Sequence, residues 1–362
     1  MVSFADLPHW PGDALQEVWP AFLLSCAALA KPANPAPGWQ EACNDARRVE
    51  ARDATGLRRF FEAHFTPYQL VDSGGKASGL VTGYYEPLLQ GSRVRGPRFR
   101  FPLYRPPDDL MTIDLAPLYP ELRDKRVRGR IEGKRVVPYW DRAQIERGKA
   151  PLHGKEIVYV DDPIEAFFLQ IQGSGRITLA EGGSLRVGYA DHNGHPYQSI
   201  GRILVERGQM TVDEASMQGI KQWAGKHPKD WPALLNENPS YVFFREVAPD
   251  PAASVDGPIG TLGVPLLAER ALAVDTRFVP LGVPVFLDTT YPLSTRPLRR
   301  LAMAQDTGGA VRGAVRADFF WGFGEDAAAQ AGRMKQEGRM WMLWPKTAPP
   351  PGNAAVQLPS RP

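Results

Sequence analysis

Short apolar runs separated by glycine and proline are the feature of this sequence that most constrains its fold. Glycine and proline number 35 each among 362 residues, and both punctuate a chain with turns. Runs of roughly four to eight residues between such breakers are typical of β-strands. In the C-terminal part, the predicted strands are 242–244, 260–264, 271–275, 283–287, 298–304 and 339–343. Many short strands of this kind predict a mainly β fold that closes into a barrel.

Helices are predicted at the N-terminus, over 13–30, 39–49 and 53–65, and again at 327–335. The first of them shows apolar residues at helical spacing. The two cysteines, Cys26 and Cys43, fall in the first two helices, on either side of a proline-rich turn at 31–38. They form either a disulfide across a helical hairpin or two buried free thiols.

Charge and hydropathy exclude several classes of protein. The net charge is only +3, and lysine and arginine are scattered rather than clustered, so no nucleic acid partner is predicted. The sequence has no run of about 18 apolar residues, so no membrane-spanning helix is predicted. The first residues, MVSFADLPHWPGD, lack the basic start and apolar core of a signal peptide.

Two aspartates bracket a glycine-rich turn in residues 302–324. Asp306 follows an apolar run and precedes Gly308 and Gly309, which can adopt positive φ and let the backbone approach a ligand. Asp318 precedes Phe319-Phe320-Trp321, and a carboxyl group beside aromatic bulk favours its protonated form. A protonated carboxyl group near neutral pH is suited to general acid catalysis. The structural alternative is that Asp306 caps a turn and Asp318 caps a helix starting near residue 325.

Six motifs resemble the MltA family, the membrane-bound lytic murein transglycosylases A with a C-terminal three-aspartate (3D) domain. Three of them carry aspartates that match the three of that domain, namely Asp275, Asp306 and Asp318. The six motifs are VTGYYEP at 81–87, QIQGSGR at 170–176, NPSYVFF at 238–244, AVDTRFVPLG at 273–282, DTGGA at 306–310 and DFFWG at 318–322. Together they extend over nearly all of residues 4–345, in the order of the family.

The resemblance implies a double-psi β-barrel of six strands with α-helical additions, plus an inserted smaller β domain. The barrel domain is expected at 1–103 and 241–345, and the inserted domain at 104–240. The substrate groove is expected between the two domains, which is a usual place for a ligand site. Residues 346–362, rich in proline and alanine, are predicted to be a disordered tail.

The resemblance also implies the reaction, which is non-hydrolytic cleavage of the MurNAc-β-1,4-GlcNAc bond of peptidoglycan to give 1,6-anhydroMurNAc ends. Asp318 is expected to be the only general acid and base, and Asp306 to stay ionised as a supporting carboxylate, its charge raising the pKa of Asp318. Asp275 is expected to be structural. No cofactor and no metal are predicted, because His192 and His195 lack further ligands at short spacing.

Substrate-binding residues are also expected from the family motifs and their surroundings. They are Tyr84, Glu86, Gln172, Gly173, Ser174, Asn193, Tyr197, Thr307 and Gly308. The expected partners are peptidoglycan glycan strands and, in the cell envelope, murein synthases or scaffold proteins. A monomer in the periplasm, associated with the outer membrane, is expected. The signal peptide and lipid-bearing cysteine of the family are not in this sequence, and two interpretations are open: the N-terminus was trimmed, or this member is exported differently.

Three alternative functions are open at this point. An aspartic protease would use Asp306-Thr307-Gly308, but it needs a second Asp-Thr/Ser-Gly motif and the chain has none. A murein-binding scaffold would bind the glycan without cleaving it. A peptidoglycan hydrolase would use Asp306 to activate water, and its products would carry reducing ends instead of anhydro ends.

Overall fold

The computed structural model describes residues 1–31, 38–122, 127–212, 214–248 and 255–351. Within these ranges the α-helices are α1 (Leu15–Leu29), α2 (Trp39–Ala46), α3 (Ala54–His64), α4 (Arg142–Glu146), α5 (Pro163–Gln172), α6 (Ile200–Glu206), α7 (Met217–Lys226), α8 (Trp231–Asn236) and α9 (Gly324–Ala331). None of the described helices is both long and apolar enough to cross a bilayer.

The strands of the same ranges are β1 (Phe65–Gln69), β2 (Gly79–Glu86), β3 (Leu88–Ser92), β4 (Phe101–Tyr104), β5 (Met111–Thr112), β6 (Arg128–Glu132), β7 (Arg135–Pro138), β8 (Glu156–Val160), β9 (Ser174–Leu179), β10 (Ser184–His192), β11 (Val242–Val247), β12 (Ala271–Val274), β13 (Pro284–Thr290), β14 (Pro297–Asp306), β15 (Ala317–Phe323) and β16 (Lys335–Pro345). The prediction of a mainly β chain with α-helical additions is confirmed.

The chain divides into two compact units, which we call the barrel unit (1–85 and 250–362) and the insert unit (86–249). The predicted boundaries at 103/104 and 240/241 are therefore wrong. Strands β3, β4 and β11 pair with β8, β9 and β10 in one six-stranded sheet. Hydrogen bonding across that sheet assigns them to the insert unit, although the sequence around β11 had suggested a barrel strand.

The barrel unit is built on a closed ring of six strands. The order β16-β13-β14-β12-β15-β2 is closed by pairing of β2 with β16, and β1 extends the sheet along the C-terminal half of β16. Strand β12 and the first four residues of β13 are buried on both faces, which explains why their sequences, ALAV and PVFL, are continuously apolar rather than alternating. The six-stranded barrel expected from the sequence is thus confirmed.

Helices α1 and α3 pack together through an aromatic cluster that includes Trp19, Phe22 and Phe61, and Phe22 also contacts Phe65 of β1. The sequence prediction of α1, α2 and α3 is confirmed within a few residues at each end. Cys26 of α1 and Cys43 of α2 form a disulfide. Of the two alternatives for these cysteines, the cross-link between the helices is therefore correct.

A buried ion pair ties the N-terminus to the barrel. Arg270, just before β12, is 2% exposed and donates to both carboxylate oxygens of Asp13, at 2.9 and 3.1 Å. The same guanidinium donates to the Leu301 carbonyl, and Asp13 accepts from the Leu301 amide. The hydrogen bonds that both charged groups make offset the desolvation cost of burying them.

The insert unit has its own apolar core between the six-stranded sheet and α5. Its members are buried aliphatic side chains from every neighbouring strand, with Val158, Leu169, Ile177 and Phe244 all fully buried. A separate three-stranded sheet, β5-β6-β7, belongs to the same unit. Asp162 caps the start of α5, because its side chain accepts from the amides of Ile164 and Glu165 and Pro163 occupies the first helical position.

Two further local predictions are wrong. Residues 260–264 form a turn flanked by the single bridge Ile259–Pro265, not a strand. The tail predicted to be disordered, 346–362, begins with ordered residues: the Lys346 amide donates to the His64 carbonyl and Thr347 Oγ1 to the Gly38 carbonyl. The rest of that prediction, residues 352–362, lies outside the described residues.

Candidate active site

The two aspartates of the glycine-rich segment flank one residue of the barrel sheet. Ala273 in β12 is in register with Asp306 of β14 on one side and with Asp318 of β15 on the other. Residues in register point to the same face, and neighbouring strands are about 4.8 Å apart. The backbone ladder therefore sets the two carboxyl groups on one face, two strand spacings apart, with only a methyl side chain between them.

A β-bulge in β14 aligns Asp306 with this face. The register of β12 with β14 advances from Leu272–Ala304 to Ala273–Asp306, so Gln305 is the extra residue. Gln305 is fully buried, and its Nε2 donates to the Ala21 carbonyl and to Ser25 Oγ in α1. The first helix thereby holds the bulge that sets the position of the neighbouring aspartate.

Asp318 lies in a half-buried setting with one side-chain donor. Thr82 Oγ1, on β2, donates to Asp318 Oδ1 at 2.8 Å. Arg316 Nη2 in turn donates to Thr82 Oγ1 at 2.8 Å. Burial raises the pKa of Asp318 and the charge of Asp306 adds to it, against the opposing effects of the Thr82 hydrogen bond and the Arg316 charge. The predicted upward shift is confirmed.

Asp306 accepts a larger set of donors. Its Oδ1 accepts from the Thr261 amide at 2.9 Å and from Thr261 Oγ1 at 2.8 Å, and its Oδ2 accepts from the Tyr84 hydroxyl at 3.2 Å. The Thr307 amide is a further donor. Burial nevertheless raises the pKa of Asp306, and these hydrogen bonds only oppose that rise. The sequence had predicted hydrogen bonding but not this upward shift.

Tyr84 connects the aspartates to the aromatic part of the barrel. Its ring lies 5.1 Å from the ring of Phe320, between centroids, and its hydroxyl is committed to Asp306. Burial, followed by the charges of Asp306 and Asp318, raises the pKa of Tyr84 far above its ordinary value. Tyr84 is therefore a permanent neutral donor, and its predicted role as a platform for a sugar ring stays a prediction.

Asp275 differs from the other two aspartates in its partners. It is 2% exposed and accepts from Arg277 Nη2 at 2.6 Å, Arg277 Nε at 3.0 Å and the Gly313 amide at 2.7 Å. Burial by itself raises the pKa of Asp275, but the hydrogen bonds from Arg277 and Gly313 outweigh it, so the pKa is lowered. This setting suits the structural role that the resemblance implies.

The turn between the aspartates uses a different glycine from those predicted. Gly313 has φ +116°, a conformation that favours glycine, and its amide is thereby aimed at Asp275. Neither Gly308 nor Gly309 has a positive φ. The predicted substrate-binding pair, Thr307 and Gly308, lies beside Asp306, with Thr307 Oγ1 hydrogen-bonded to Thr261 Oγ1 at 2.8 Å.

Glu86, predicted to bind sugar hydroxyls, is instead part of a buried ion pair. It is 1% exposed, and it accepts from Arg176 Nε at 2.8 Å and from Arg186 Nη2 at 3.3 Å. A carboxylate that is covered and paired in this way is not open to a ligand. The prediction is wrong because the arginines lie 90 and 100 residues away in sequence.

Asn193 is also structural. It is fully buried, donates to the carbonyls of Trp140 and Pro239, and accepts from the Tyr241 amide. Its predicted role in binding substrate is therefore wrong, since every polar atom of its side chain is engaged.

The other predicted residues of the insert unit remain accessible. Gln172 ends α5, Gly173 has a left-handed φ of +82°, and Ser174 begins β9, all three being half-buried. Tyr197 is 47% exposed. Their contact with substrate stays a prediction.

Three residues around the aspartates were not predicted to belong to the site. Thr82 and Arg316 lie within or beside motifs that were recognised, but their side chains were given no role. Thr261 lies 45 residues before Asp306, in the turn that was predicted to be a strand. One sequence feature could have indicated Thr261, namely its position in a turn bounded by glycines, Gly260-Thr261-Leu262-Gly263. Hydroxyl groups in such turns commonly bind nearby polar groups.

Comparison with known proteins identifies the family of both parts of the chain. The family model described as the MltA specific insert domain matches residues 80–245, and the one described as the 3D domain matches residues 270–344. The chain is 34% identical over 309 residues to the membrane-bound lytic murein transglycosylase A of Escherichia coli strain K12. That alignment covers 83% of this chain and 74% of the relative.

Solved structures of similar proteins have the same fold. The crystal structure of MltA from Neisseria gonorrhoeae superposes with a TM-score of 0.80 at 39% identity, covering 96% of this chain and 94% of that one. The structure of E. coli MltA with bound chitohexaose gives a TM-score of 0.69 at 25% identity, covering 94% and 93% of the two chains.

Proposed function

The chain belongs to the MltA family of membrane-bound lytic murein transglycosylases, and on this premise we propose that Asp318 is its general acid and base. The activity is non-hydrolytic cleavage of peptidoglycan glycan strands. One observation supports the assignment: two half-buried carboxyl groups flank Ala273 on one face of the barrel sheet, with unlike sets of hydrogen-bond donors. Unlike settings separate the pKa values of two neighbouring acids.

The donors decide which of the two acids keeps its proton. Asp306 accepts two bonds from Thr261 and others from Tyr84 and Thr307, whereas Asp318 accepts from Thr82. Hydrogen bonds to the charged form favour ionisation. Asp306 therefore ionises first, and its negative charge then disfavours ionisation of Asp318. Both pKa values of the coupled pair are higher than those of ordinary carboxyl groups.

The reaction needs one proton donor and no water. Asp318 transfers its proton to the glycosidic oxygen, and the bond between that oxygen and C1 of the muramoyl residue breaks with its electron pair on the oxygen. The Asp318 carboxylate then accepts the proton of the muramoyl 6-hydroxyl. As that oxygen bonds to C1, the 1,6-anhydro ring closes and Asp318 is again protonated for the next turnover.

Asp306 contributes its charge to this reaction. Positive character develops at C1 when the glycosidic bond breaks, and a fixed carboxylate on the same face of the sheet stabilises it electrostatically. Thr261 restricts the orientation of Asp306 through two hydrogen bonds to one oxygen. Little reorganisation is therefore needed when the charge appears.

The proposed substrate is the glycan strand of peptidoglycan. The relatives are named murein transglycosylases, and one related structure contains a bound oligosaccharide, chitohexaose. In the insert unit, Gln172, Gly173, Ser174 and Tyr197 are the proposed contacts to sugar hydroxyl and acetamido groups, because they are accessible and polar. Since the relatives are named membrane-bound, we infer that this protein acts in the cell envelope.

Mass spectrometry of the products from purified murein sacculi tests this proposal. The protein is expected to release muropeptides lighter by one water than hydrolytic products. Asp318→Asn should release none, while Asp326→Asn, a change at an exposed acid of α9, should leave the release unchanged. Water-added products would identify a hydrolase with Asp306 as the base, and sacculus binding without products would identify a scaffold. Full activity of Asp318→Asn would move the acid role to Asp306.

A further inference from the structure

The three-stranded sheet β5-β6-β7 presents an apolar face to solvent. Met111 pairs with Gly129, and Ile131 pairs with Val136, so their side chains share one face of the sheet. Ile113 and Val136 lie over Gly129 on that face. Met111 is 38%, Ile131 60% and Val136 56% exposed. We call these four side chains, at 111, 113, 131 and 136, the outer face.

The opposite face of the same sheet is charged and packs against the rest of the insert unit. Arg128 pairs with Asp191 at 2.9 Å, and the Arg130 guanidinium lies 3.8 Å from the Trp140 ring centroid. The usual amphipathic order of a sheet is therefore inverted, with polar side chains inward and aliphatic side chains outward. Side chains of this kind at a surface mark a site of interaction.

The surroundings of the outer face are basic. Lys134 and Arg135, at the turn between β6 and β7, are exposed and have no ion pair among the described residues. Both cations lie in sequence between Ile131 and Val136 of the outer face. The partner that binds the outer face should therefore have both an apolar region and negative charge.

We propose that the outer face docks on a bilayer that contains anionic phospholipid. The three strands hold two, five and four residues, far fewer than the roughly 20–30 residues that each partner gives to a stable protein interface. A lipid surface needs only a few aliphatic side chains at the acyl boundary, with basic side chains at the level of the headgroups. The exposed Leu118 and Tyr119, 77% and 52% accessible, extend the same segment.

This docking is independent of the chemistry at Asp318. The outer face belongs to the insert unit, and none of its residues is part of the site described above. Shallow apolar contact combined with basic charge would be reversible and sensitive to salt, because the attraction to anionic lipid is screened. The outer face would thus bring the enzyme to a membrane surface without a spanning segment.

Vesicle flotation with the complete 362-residue chain tests the proposal. We expect binding to vesicles of phosphatidylethanolamine with phosphatidylglycerol, and at least about tenfold weaker binding to phosphatidylcholine alone. Ile131→Asn with Val136→Asn, and separately Lys134→Glu with Arg135→Glu, should each lower binding to the anionic vesicles by at least about tenfold.

Matched controls separate docking from general effects of hydrophobicity and charge. Leu293→Asn removes an aliphatic side chain that is 79% exposed in the barrel unit, and Lys149→Glu with Lys229→Glu makes the same change in net charge at other exposed positions. Both should bind as the unchanged protein does. Circular dichroism and murein cleavage, expected to be unaltered in all variants, show that they are folded.

Three outcomes would overturn the docking proposal. The first is absence of binding to anionic vesicles by the unchanged chain. The second is equal loss of binding in the controls and in the outer-face variants. The third is a self-association measured by light scattering that the Ile131→Asn, Val136→Asn variant abolishes while vesicle binding persists, since that would assign the outer face to a second copy of the chain.

Discussion

Thr82 donates its hydroxyl proton to Asp318 Oδ1 over 2.8 Å, while its own oxygen accepts from Arg316 Nη2. A hydroxyl has one proton, so the bond from Arg316 commits that proton to Asp318. The arginine thereby acts on the aspartate through the threonine as well as through its charge. The other carboxyl oxygen, Asp318 Oδ2, can therefore carry the proton that is transferred in the reaction.

Removal of this hydroxyl should shift the pH dependence of cleavage. Thr82→Val keeps the shape of the side chain but removes a bond that stabilises the Asp318 carboxylate, so the pKa of Asp318 rises. Because activity needs the protonated form, the alkaline limb of the pH–rate profile should move upward by roughly one pH unit. Thr82→Ser, which retains the hydroxyl, should restore the original limb. An unmoved limb in Thr82→Val would show that Asp318 is not the titrating acid.

Asp318→Asn should make the protein more stable while it loses activity. Burial raises the pKa of Asp318 above its ordinary value of 3.8, so its favourable contribution exists below that value and is lost as the pH rises through the folded-state pKa. At neutral pH the charged form destabilises the fold, and asparagine avoids this cost. We expect the free energy of unfolding to increase on the order of 1 kcal/mol.

Urea unfolding of the two proteins at about pH 7 and about pH 2.5 measures this effect. The difference should be present at the higher pH and absent at the lower one, where the aspartate is protonated in both states. A variant less stable than the unchanged protein at neutral pH would mean that the Asp318 carboxylate is a net structural contributor. The upward shift of the Asp318 pKa in the fold would then be wrong.

Asp275→Asn should make the protein less stable while it keeps its activity, the opposite of Asp318→Asn. The pKa of Asp275 is lowered in the fold, so its contribution to stability is present above 3.8 and is lost as the pH falls through the lower folded-state value. The change should weaken the bonds to Arg277 and Gly313 and cost about 2 kcal/mol at neutral pH. Murein cleavage per folded molecule should stay within about threefold.

The stability cost of Asp275→Asn is measured by urea unfolding, and activity is measured on the fraction that remains folded. Arg277→Met is the matched comparison, because it removes the side-chain partner and leaves the bond from the Gly313 amide. A complete loss of cleavage by a well-folded Asp275→Asn variant would give Asp275 a catalytic role.

The disulfide should contribute to the stability of the N-terminal helices. Cys26 and Cys43 are 17 residues apart, and a cross-link that closes a loop of this length stabilises a fold by about 3 kcal/mol. Cys26→Ala with Cys43→Ala should lower the free energy of unfolding by that amount, and a reductant should have the same effect only on the unchanged protein. Thermal unfolding with and without reductant measures both.

Much of the fold was predictable, because strands and helices depend on local patterns. The apolar run before Asp306 and the aromatic run after Asp318 indicate the two strands that present these aspartates. The resemblance then identified the barrel. In contrast, assignment of β3, β4 and β11 to a sheet depends on pairing partners that are distant in sequence, and local alternation does not specify them.

The same limit explains the errors within the site. Glu86 and Asn193 have side chains suited to sugar binding. The sequence does not show whether their polar atoms are already hydrogen-bonded to other residues of the protein. Arg176, which pairs with Glu86, is the last residue of a motif that had been assigned to the ligand. Thr261 was overlooked because the sequence does not show that its hydroxyl lies next to Asp306. Without that neighbour, a threonine in a turn has no evident role in the site.

The extra residue at Gln305 has a consequence for how this pair of acids could be altered. The separation of Asp306 from Asp318 is fixed by hydrogen-bonded backbone on either side of Ala273, so side-chain substitution cannot adjust it gradually. If the full-length strand paired without the bulge, Gln305 would face Ala273 and Asp306 would turn to the other face of the sheet. The contacts of Gln305 with Ala21 and Ser25 in α1 therefore help to keep both acids on one face, so residues of a helix outside the barrel contribute to the alignment of the site.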